Sequence, residues 1–164
     1  MREYWKKEDP IEVVMKGEKI LVEPLVYKKN TVKAVFFNPI KPGWARTLTR
    51  RVYIEDSEEE RIYKYILLAK SSAKYIEEHI GIENIDVIDL QEAYTILLVL
   101  ALRNFKNFRF ITHIPRAMGS PVFPSRILKE KFNVETLPEE NGKANLTILE
   151  LQNSVKGVYS IKKT

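Results

Sequence analysis

Residues 57–81, SEEERIYKYILLAKSSAKYIEEHIG, decide the helical part of the fold. Ser57 and Glu60 have the spacing of a capping box, in which two side chains satisfy backbone N–H groups at the start of a helix. Apolar residues then recur at alternating spacings of four and three, which is the period of one helix face. Gly81 follows as a C-terminal cap. The segment therefore predicts one long amphipathic helix that covers a core from outside.

The segment before this helix has the pattern of β-strands. Four runs are rich in β-branched and aromatic residues: IEVVM (11–15), KILVEPLVY (19–27), TVKAVFF (31–37) and RTLTRRVYI (46–54). The turns between the first three runs are short, which favours antiparallel neighbours. Pro24 inside the second run indicates a bulge or an edge position.

The segment after the long helix predicts a second, buried helix. Asp89 and Glu92 have the spacing of another capping box, and the run AYTILLVLAL (93–102) that follows is apolar all round. A helix without a polar face is packed on more than one side, so we expect this one to be central.

The last third of the chain predicts short strands around one more helix. Residues 108–114 alternate as a strand, and Ser125 precedes the short helical run RILKEKF. Three further strands are expected at NVETL (133–137), ANLTILEL (144–151) and VYSIKK (158–163), with turns at Asn141-Gly142 and Lys156-Gly157.

Together these segments predict an α+β fold, with antiparallel sheets packed on a buried central helix and one long amphipathic covering helix. A chain of 164 residues has the usual length of one domain and is long enough to bury a core. We therefore expect a single domain over residues 1–164.

Composition excludes several classes of function. The chain has no cysteine, so disulfides and thiolate metal sites are excluded, and its two histidines argue against a His-rich metal site. We expect no metal and no cofactor. The abundance of Lys, Glu, Ile and Tyr is typical of hyperthermophile, archaeal-like proteins. The longest apolar run, 96–102, is far shorter than the roughly 20 residues that span a bilayer, and the N-terminus has no secretory pattern. We therefore expect a cytoplasmic protein without a membrane partner.

Charge is distributed in blocks. The net charge is +5, yet residues 56–92 carry 4 basic and 10 acidic groups, whereas residues 93–132 carry 7 basic groups and 1 acidic group. Such blocks form separate basic and acidic surfaces if they stay apart in the fold, or neutralise each other if they pack together. The sequence leaves both interpretations open.

The strongest candidate for a binding surface is the basic stretch at 103–132, RNFKNFRFITHIPRAMGSPVFPSRILKEKF. Several cations that follow a backbone are what phosphate binding needs. The candidate cations are Arg103, Lys106, Arg109, Arg116, Arg126 and Lys129. If they are exposed, Phe105, Phe108 and Phe110 could stack on bases. The alternative is that these rings point into the core.

A second candidate is the segment KPGWARTLTRR (41–51). Trp44 follows a Pro-Gly turn and has Arg46 and Arg50 close to it in sequence, so its ring could stack on a base or on a guanidinium group. The alternative is an aromatic lid that closes one end of the sheet.

A third candidate is catalytic. His113 ends the strand at 108–114, and Arg116 and Ser120 follow it in a proline-rich loop, which is a possible arrangement of a general base and an anion site. No carboxylate lies close in sequence, and neither a G-x-S-x-G elbow nor a Walker loop is present. A histidine at a strand end is more often structural.

The sequence is therefore consistent with three functions. The leading hypothesis is a non-enzymatic nucleic-acid-binding protein that uses residues 103–132 together with Trp44, Arg46 and Arg50. The alternative is an assembly subunit that forms a homo-oligomer or docks a protein partner through its apolar strands and charge-segregated faces. The third is a small enzyme that acts on an anionic substrate through His113 and Arg116.

Overall fold

A computed structural model of the protein describes residues 5–51, 56–112, 122–137, 139–145 and 155–160. The chain divides into two compact units, Met1–His79 and Ile80–Thr164, and each is described by itself below. Helices and strands are mixed in the chain, so the predicted α+β class, with antiparallel sheets and a long helix, is confirmed. The expectation of a single domain stays a prediction.

The first unit contains an antiparallel sheet of four strands: β1 (Trp5–Lys7), β2 (Ile11–Met15), β3 (Glu18–Lys29) and β4 (Val32–Lys41). The long strand β3 is central, with β1 and β2 along one side and β4 along the other. This arrangement confirms the predicted antiparallel meander of the first three strand runs.

The two faces of this sheet differ in burial. Alternate side chains of β2 and β3 form a buried inner face, which contains Ile11, Val13, Met15, Ile20, Val22 and Val26. The turn between these strands places Lys16 and Gly17 at φ values of 52° and 74°. Two successive positive φ angles are those of a tight hairpin turn, which fixes the register of β2 on β3.

The segment after β4 is helical, contrary to the strand predicted at 46–54. Helix α1 (Gly43–Leu48) buries Ala45 and Leu48, which lie three residues apart on one helical face. The alternation of Arg and Thr imitates a strand, but these two buried side chains decide the structure. Residues 52–54 of the predicted strand lie outside the described residues.

The predicted long helix is present as α2 (Glu58–Tyr75), which continues as one turn of π-helix over Ile76–Ile80. The Ser57 hydroxyl accepts a hydrogen bond of 3.0 Å from the backbone N–H of Glu60, as expected of a capping box. Gly81 follows with a φ of 83°, a conformation that glycine adopts at little cost.

The second unit contains a parallel sheet with short helices. Its elements are a 3₁₀ turn (Ile82–Asn84), β5 (Ile88–Gln91), a second 3₁₀ turn (Ala93–Ile96), α3 (Leu97–Ala101), β6 (Phe108–Thr112), β7 (Val122–Pro124), α4 (Ser125–Phe132), β8 (Lys143–Asn145) and β9 (Val155–Ser160). Strand β6 lies between β5 and β9, and both pairings are parallel. Strands β7 and β8 form an antiparallel pair.

Three sequence predictions in the second unit are wrong. The expected capping box at Asp89 lies within strand β5, so the helix begins later and is short. Gly157, predicted in a turn, is opposite Arg109 in the parallel sheet. Residues 133–137 form no strand. In contrast, the predicted turn at Asn141-Gly142 is confirmed between β7 and β8.

The apolar run that suggested a long central helix is buried, but only part of it is α-helical. Leu97, Leu98, Val99 and Leu100 are all buried in α3. Within the part of the chain that the structure describes, no helix is long and apolar enough to cross a membrane.

Candidate functional site

Several of the cations predicted to bind phosphate are engaged within the second unit. Arg103 donates hydrogen bonds from Nη2 to the carbonyl oxygens of Phe132 at 3.2 Å and Asn133 at 3.3 Å. These carbonyls end helix α4, where a cation also complements the helix dipole. Arg103 is therefore a cap of α4.

Arg109 and Lys129 are both paired with carboxylates. Arg109 donates from Nε and Nη2 to the two carboxylate oxygens of Asp89, at 2.6 and 2.7 Å. Hydrogen bonding to Arg109 lowers the pKa of Asp89 below its usual value. Lys129 Nζ lies 3.2 Å from Glu139 Oε2. Local acids therefore neutralise part of the basic stretch.

The phenylalanines of the basic stretch are in the core. Phe108 and Phe110 have no exposed surface and Phe105 is 8% exposed. The rings of Phe105 and Phe108 meet edge to face with their centres 5.1 Å apart. The core interpretation is confirmed, and these rings are not free to stack on bases.

The remaining predicted residues of the basic stretch differ in status. Lys106 and Arg126 are exposed and form no ion pair within 4.0 Å of a described residue, although Arg126, after Lys131, helps to lower the pKa of Glu130. Arg116, with His113 and Ser120, lies outside the described residues. The catalytic hypothesis for His113 and Arg116 is therefore untested.

The tryptophan of the second candidate is held in place by its neighbours. Trp44 lies in α1, where its Nε1–H donates to Glu18 Oε2 at 3.3 Å. The ammonium of Lys16 lies 5.3 Å from the centre of the Trp44 ring. Arg46 and Arg50 are exposed and make no ion pair within the described ranges.

The sequence analysis missed an exposed aromatic cluster on the outer face of the first sheet. Trp5 lies opposite Tyr27 in the strand register, and Phe36 lies opposite Leu25. The Trp5 ring is 5.4 Å from the Tyr27 ring and 5.0 Å from the Phe36 ring, centre to centre. Trp5 is 42% exposed and Phe36 is 56% exposed.

The aromatic cluster belongs to a wider apolar face. Val14 and Val32 are also exposed on the outer side, and Leu21 and Leu25 are half-buried there. A strand of an antiparallel sheet with one solvated face normally alternates apolar and polar residues. In β3, the successive residues Ile20, Leu21 and Val22 are all apolar, and this break in the alternation indicates apolar surface on the outer side. We call the outer side of β1 to β4 the outer face.

Two pairs of oppositely charged side chains lie on the outer face. Lys7 Nζ lies 3.0 Å from Glu23 Oε1, and Lys19 Nζ lies 2.8 Å from Glu12 Oε1. The outer face therefore presents apolar and aromatic surface between neutralised pairs.

A group of titratable side chains also lies in the first unit. The Tyr75 hydroxyl donates to Glu8 Oε2 at 2.7 Å, and Nδ1 of His79 is 3.6 Å from the same oxygen. The rings of Tyr75 and His79 are stacked 4.8 Å apart. Burial, assisted by Glu8, raises the pKa of Tyr75 well above its usual range.

Strained backbone occurs at the carboxyl end of the parallel sheet. Glu92, which follows β5, has a φ of 66°, and its N–H donates to the carbonyl oxygen of Ile111 at 2.8 Å. Thr95 Oγ1 donates to the Glu92 carbonyl oxygen at 2.7 Å, which helps to hold this conformation. Non-glycine residues with positive φ are costly and cluster at binding sites.

Comparison with known proteins gives a fold likeness alone. No family model matches the chain, and no curated protein matches it. The chain is similar to the solved catalytic domain of starch synthase IV from Arabidopsis thaliana bound to ADP and acarbose, with a TM-score of 0.65 and 10% identity over 90% of this chain. The chain spans 32% of the length of that solved chain.

Proposed function

We propose that this protein is an assembly subunit that self-associates through the outer face of its first unit. The observation that carries the proposal is the contact of Trp5 with Tyr27 and Phe36 on a strand face that leaves Trp5 and Phe36 exposed. Large exposed apolar patches are rare on monomers and are typical of protein interfaces.

The charges of the outer face favour a protein surface over a polyanion. Because Lys7 is paired with Glu23 and Lys19 with Glu12, approach of a phosphate backbone would gain little from these lysines. A second apolar face would cover the aromatic rings without breaking either pair.

Sedimentation velocity over a wide range of protein concentration tests the proposal. We expect a reversible dimer or larger oligomer that Phe36→Ser converts to monomer. Val87→Ser is the matched control, because Val87 is an exposed apolar residue of the second unit and lies outside the outer face. A monomer at every concentration, or equal sensitivity to Val87→Ser, would contradict the proposal.

A second candidate function is the binding of a small polar ligand at the carboxyl ends of β5 and β6. In sheets with parallel strands, ligands bind beyond the carboxyl ends, and here the strained Glu92 lies at this edge. His113 and Arg116 follow β6 in the chain. Among the described residues, Glu92 supplies a carboxylate at this edge.

ADP and acarbose are suitable probes for this second candidate, because the similar starch synthase domain was solved with both. Isothermal titration should show binding of one probe that Glu92→Gln abolishes and that Glu83→Gln, an exposed carboxylate of the same unit, leaves intact. Absence of binding of both probes in the millimolar range would remove this candidate.

A further inference from the structure

A groove in the first unit has the size of a small-molecule site. It lies between strand β4 and helix α2, and its volume of about 330 Å³ is within the usual range for ligand pockets. Val35, Pro39 and Leu67 supply apolar lining, and Leu68 lies at the exposed side. Phe36, an exposed member of the outer face, also lines the groove.

One lining side chain needs a hydrogen-bond partner. Ser71 has no exposed surface, and its Oγ makes no hydrogen bond within the described part of the chain. Buried polar groups are nearly always paired, and a serine inside a helix usually donates to the carbonyl oxygen four residues earlier. The Ser71 hydroxyl therefore keeps a hydrogen-bonding capacity that no described residue uses.

Positive charge lies toward the other end of the groove. Lys64 Nζ donates to the carbonyl oxygen of Arg51 at 2.5 Å, and both residues line the groove. Lys64 and Ser71 are seven residues apart on α2, which corresponds to two turns or about 10 Å along the helix axis. The groove thus has a cationic end and a hydroxyl end with apolar lining between them.

The edge of β4 argues against an added peptide strand as the occupant. Pro39 supplies no backbone N–H, and Lys33 and Lys41 place charges on the same strand. Proline and lysine are the residues by which edge strands avoid pairing with other chains. A small molecule fits the groove without requiring such pairing.

We infer that the groove binds a small apolar carboxylate about 10 Å long, with its carboxylate at Lys64 and a hydroxyl or carbonyl oxygen at Ser71. The cation selects the charged end, the apolar lining takes the body, and the Ser71 Oγ bonds the far end. The groove shares Phe36 with the outer face, whereas Lys64 and Ser71 belong to the groove alone, so binding of a ligand is tested separately from self-association.

The inference is tested by titration with two probes, para-hydroxyphenylpropanoate and phenylpropanoate, followed by calorimetry and by amide chemical shifts. The first probe should bind roughly tenfold more tightly, because only it can bond Ser71. Ser71→Ala should remove that difference, and Lys64→Met should weaken both probes. Lys74→Met, on the same helix but outside the groove, should leave both affinities unchanged.

Two results would overturn the inference. One is the absence of binding of either probe in the millimolar range to the wild-type protein. The other is binding that neither Ser71→Ala nor Lys64→Met alters, with shifts that lie away from β4 and α2. Both variants are expected to fold, because one removes an unpaired hydroxyl and the other keeps the apolar stem of the lysine.

Discussion

Arg109 and Asp89 form a two-point ion pair across the neighbouring parallel strands β6 and β5, where they are opposite each other in the register. Both side chains are 42% exposed, so the pair lies at the surface. The two hydrogen bonds hold the guanidinium group of Arg109 against the neighbouring strand. Arg109, one of the cations that suggested phosphate binding, therefore stabilises the pairing of β5 with β6.

The Asp89–Arg109 pair predicts a dependence of stability on acid pH. The pKa of Asp89 is lowered in the folded state from 3.8. The ionised carboxylate therefore contributes fully to the free energy of unfolding above that pH, and this contribution is lost as pH falls through the folded pKa. The stability advantage of the wild type over Asp89→Asn should therefore shrink in acid. Denaturant unfolding of both proteins between about pH 5 and pH 1 measures this difference in the free energy of unfolding. Arg109→Gln removes the same pair and should give the same profile; a wild-type advantage that does not change with pH would contradict the prediction.

Nucleic-acid binding stays a prediction, and the structure narrows the residues on which it depends. Arg46, Arg50, Lys106 and Arg126 are the exposed cations without ion pairs among the described members of the two predicted surfaces. Replacing any of them by alanine should weaken binding to all sequences alike and reduce the salt slope by about 1 per lost contact. Arg109→Ala, which removes a paired cation, should have a smaller effect.

Fluorescence anisotropy with short DNA and RNA, at about 50 and 200 mM salt, measures this binding. No binding of single or double strands at the lower salt concentration would remove the nucleic-acid hypothesis.

Ser71→Ala should stabilise the ligand-free protein. An unpaired buried hydroxyl costs about 1 kcal/mol or more, and alanine is also the better helix former. Thermal and denaturant unfolding measure the gain. Ser72→Ala is the matched control on the same helix, because Ser72 is only half-buried and its replacement changes mainly the helix propensity. Equal effects of the two substitutions on the free energy of unfolding would show that burial of the unpaired Ser71 hydroxyl does not destabilise the protein.

Tyr75→Phe should make the protein less sensitive to alkali. The pKa of Tyr75 is raised above 10.0 in the folded state, so folding favours the protonated phenol, and stability is lost as pH rises above the unfolded value. The variant lacks the titrating phenol, so its free energy of unfolding should fall less steeply above about pH 10. Near neutral pH it should be less stable by roughly 1–3 kcal/mol, because Glu8 loses a donor. Parallel alkaline profiles would contradict the assignment.

The helix α2 was predictable because its signals are local. Ser57, Glu60 and Gly81 lie at its ends, and the apolar period between them requires no knowledge of the rest of the fold. The hairpin of β2 and β3 was predictable for the same reason, since Lys16 and Gly17 form the turn within the segment itself.

Strand β5 was not predictable from its own residues. Asp89 and Glu92 have the spacing of a helix cap, but the backbone of Ile88–Gln91 bonds to β6, which lies well downstream. A local pattern was overridden by a distant strand partner. The same is true of Gly157, which reads as a turn residue and pairs with Arg109.

The candidate sites were only partly predictable. The sequence identified the cations, but it could not show that Asp89 and Glu139 would pair with Arg109 and Lys129. It also could not place Trp5 beside Phe36, because β3 lies between their strands and brings the rings together only after β1 and β4 have both paired with it.

The strand order of the second unit has a consequence for biosynthesis. Strand β6 pairs with β9 on one side, and β9 is synthesised only after residues 113–154. Non-local pairing of this kind is slow, because the intervening loop must close first. The first sheet, by contrast, joins strands through tight hairpins. Nascent chains should therefore complete the first sheet while β6 still lacks one neighbour, and the edge of β6 has unpaired backbone groups until β9 joins it.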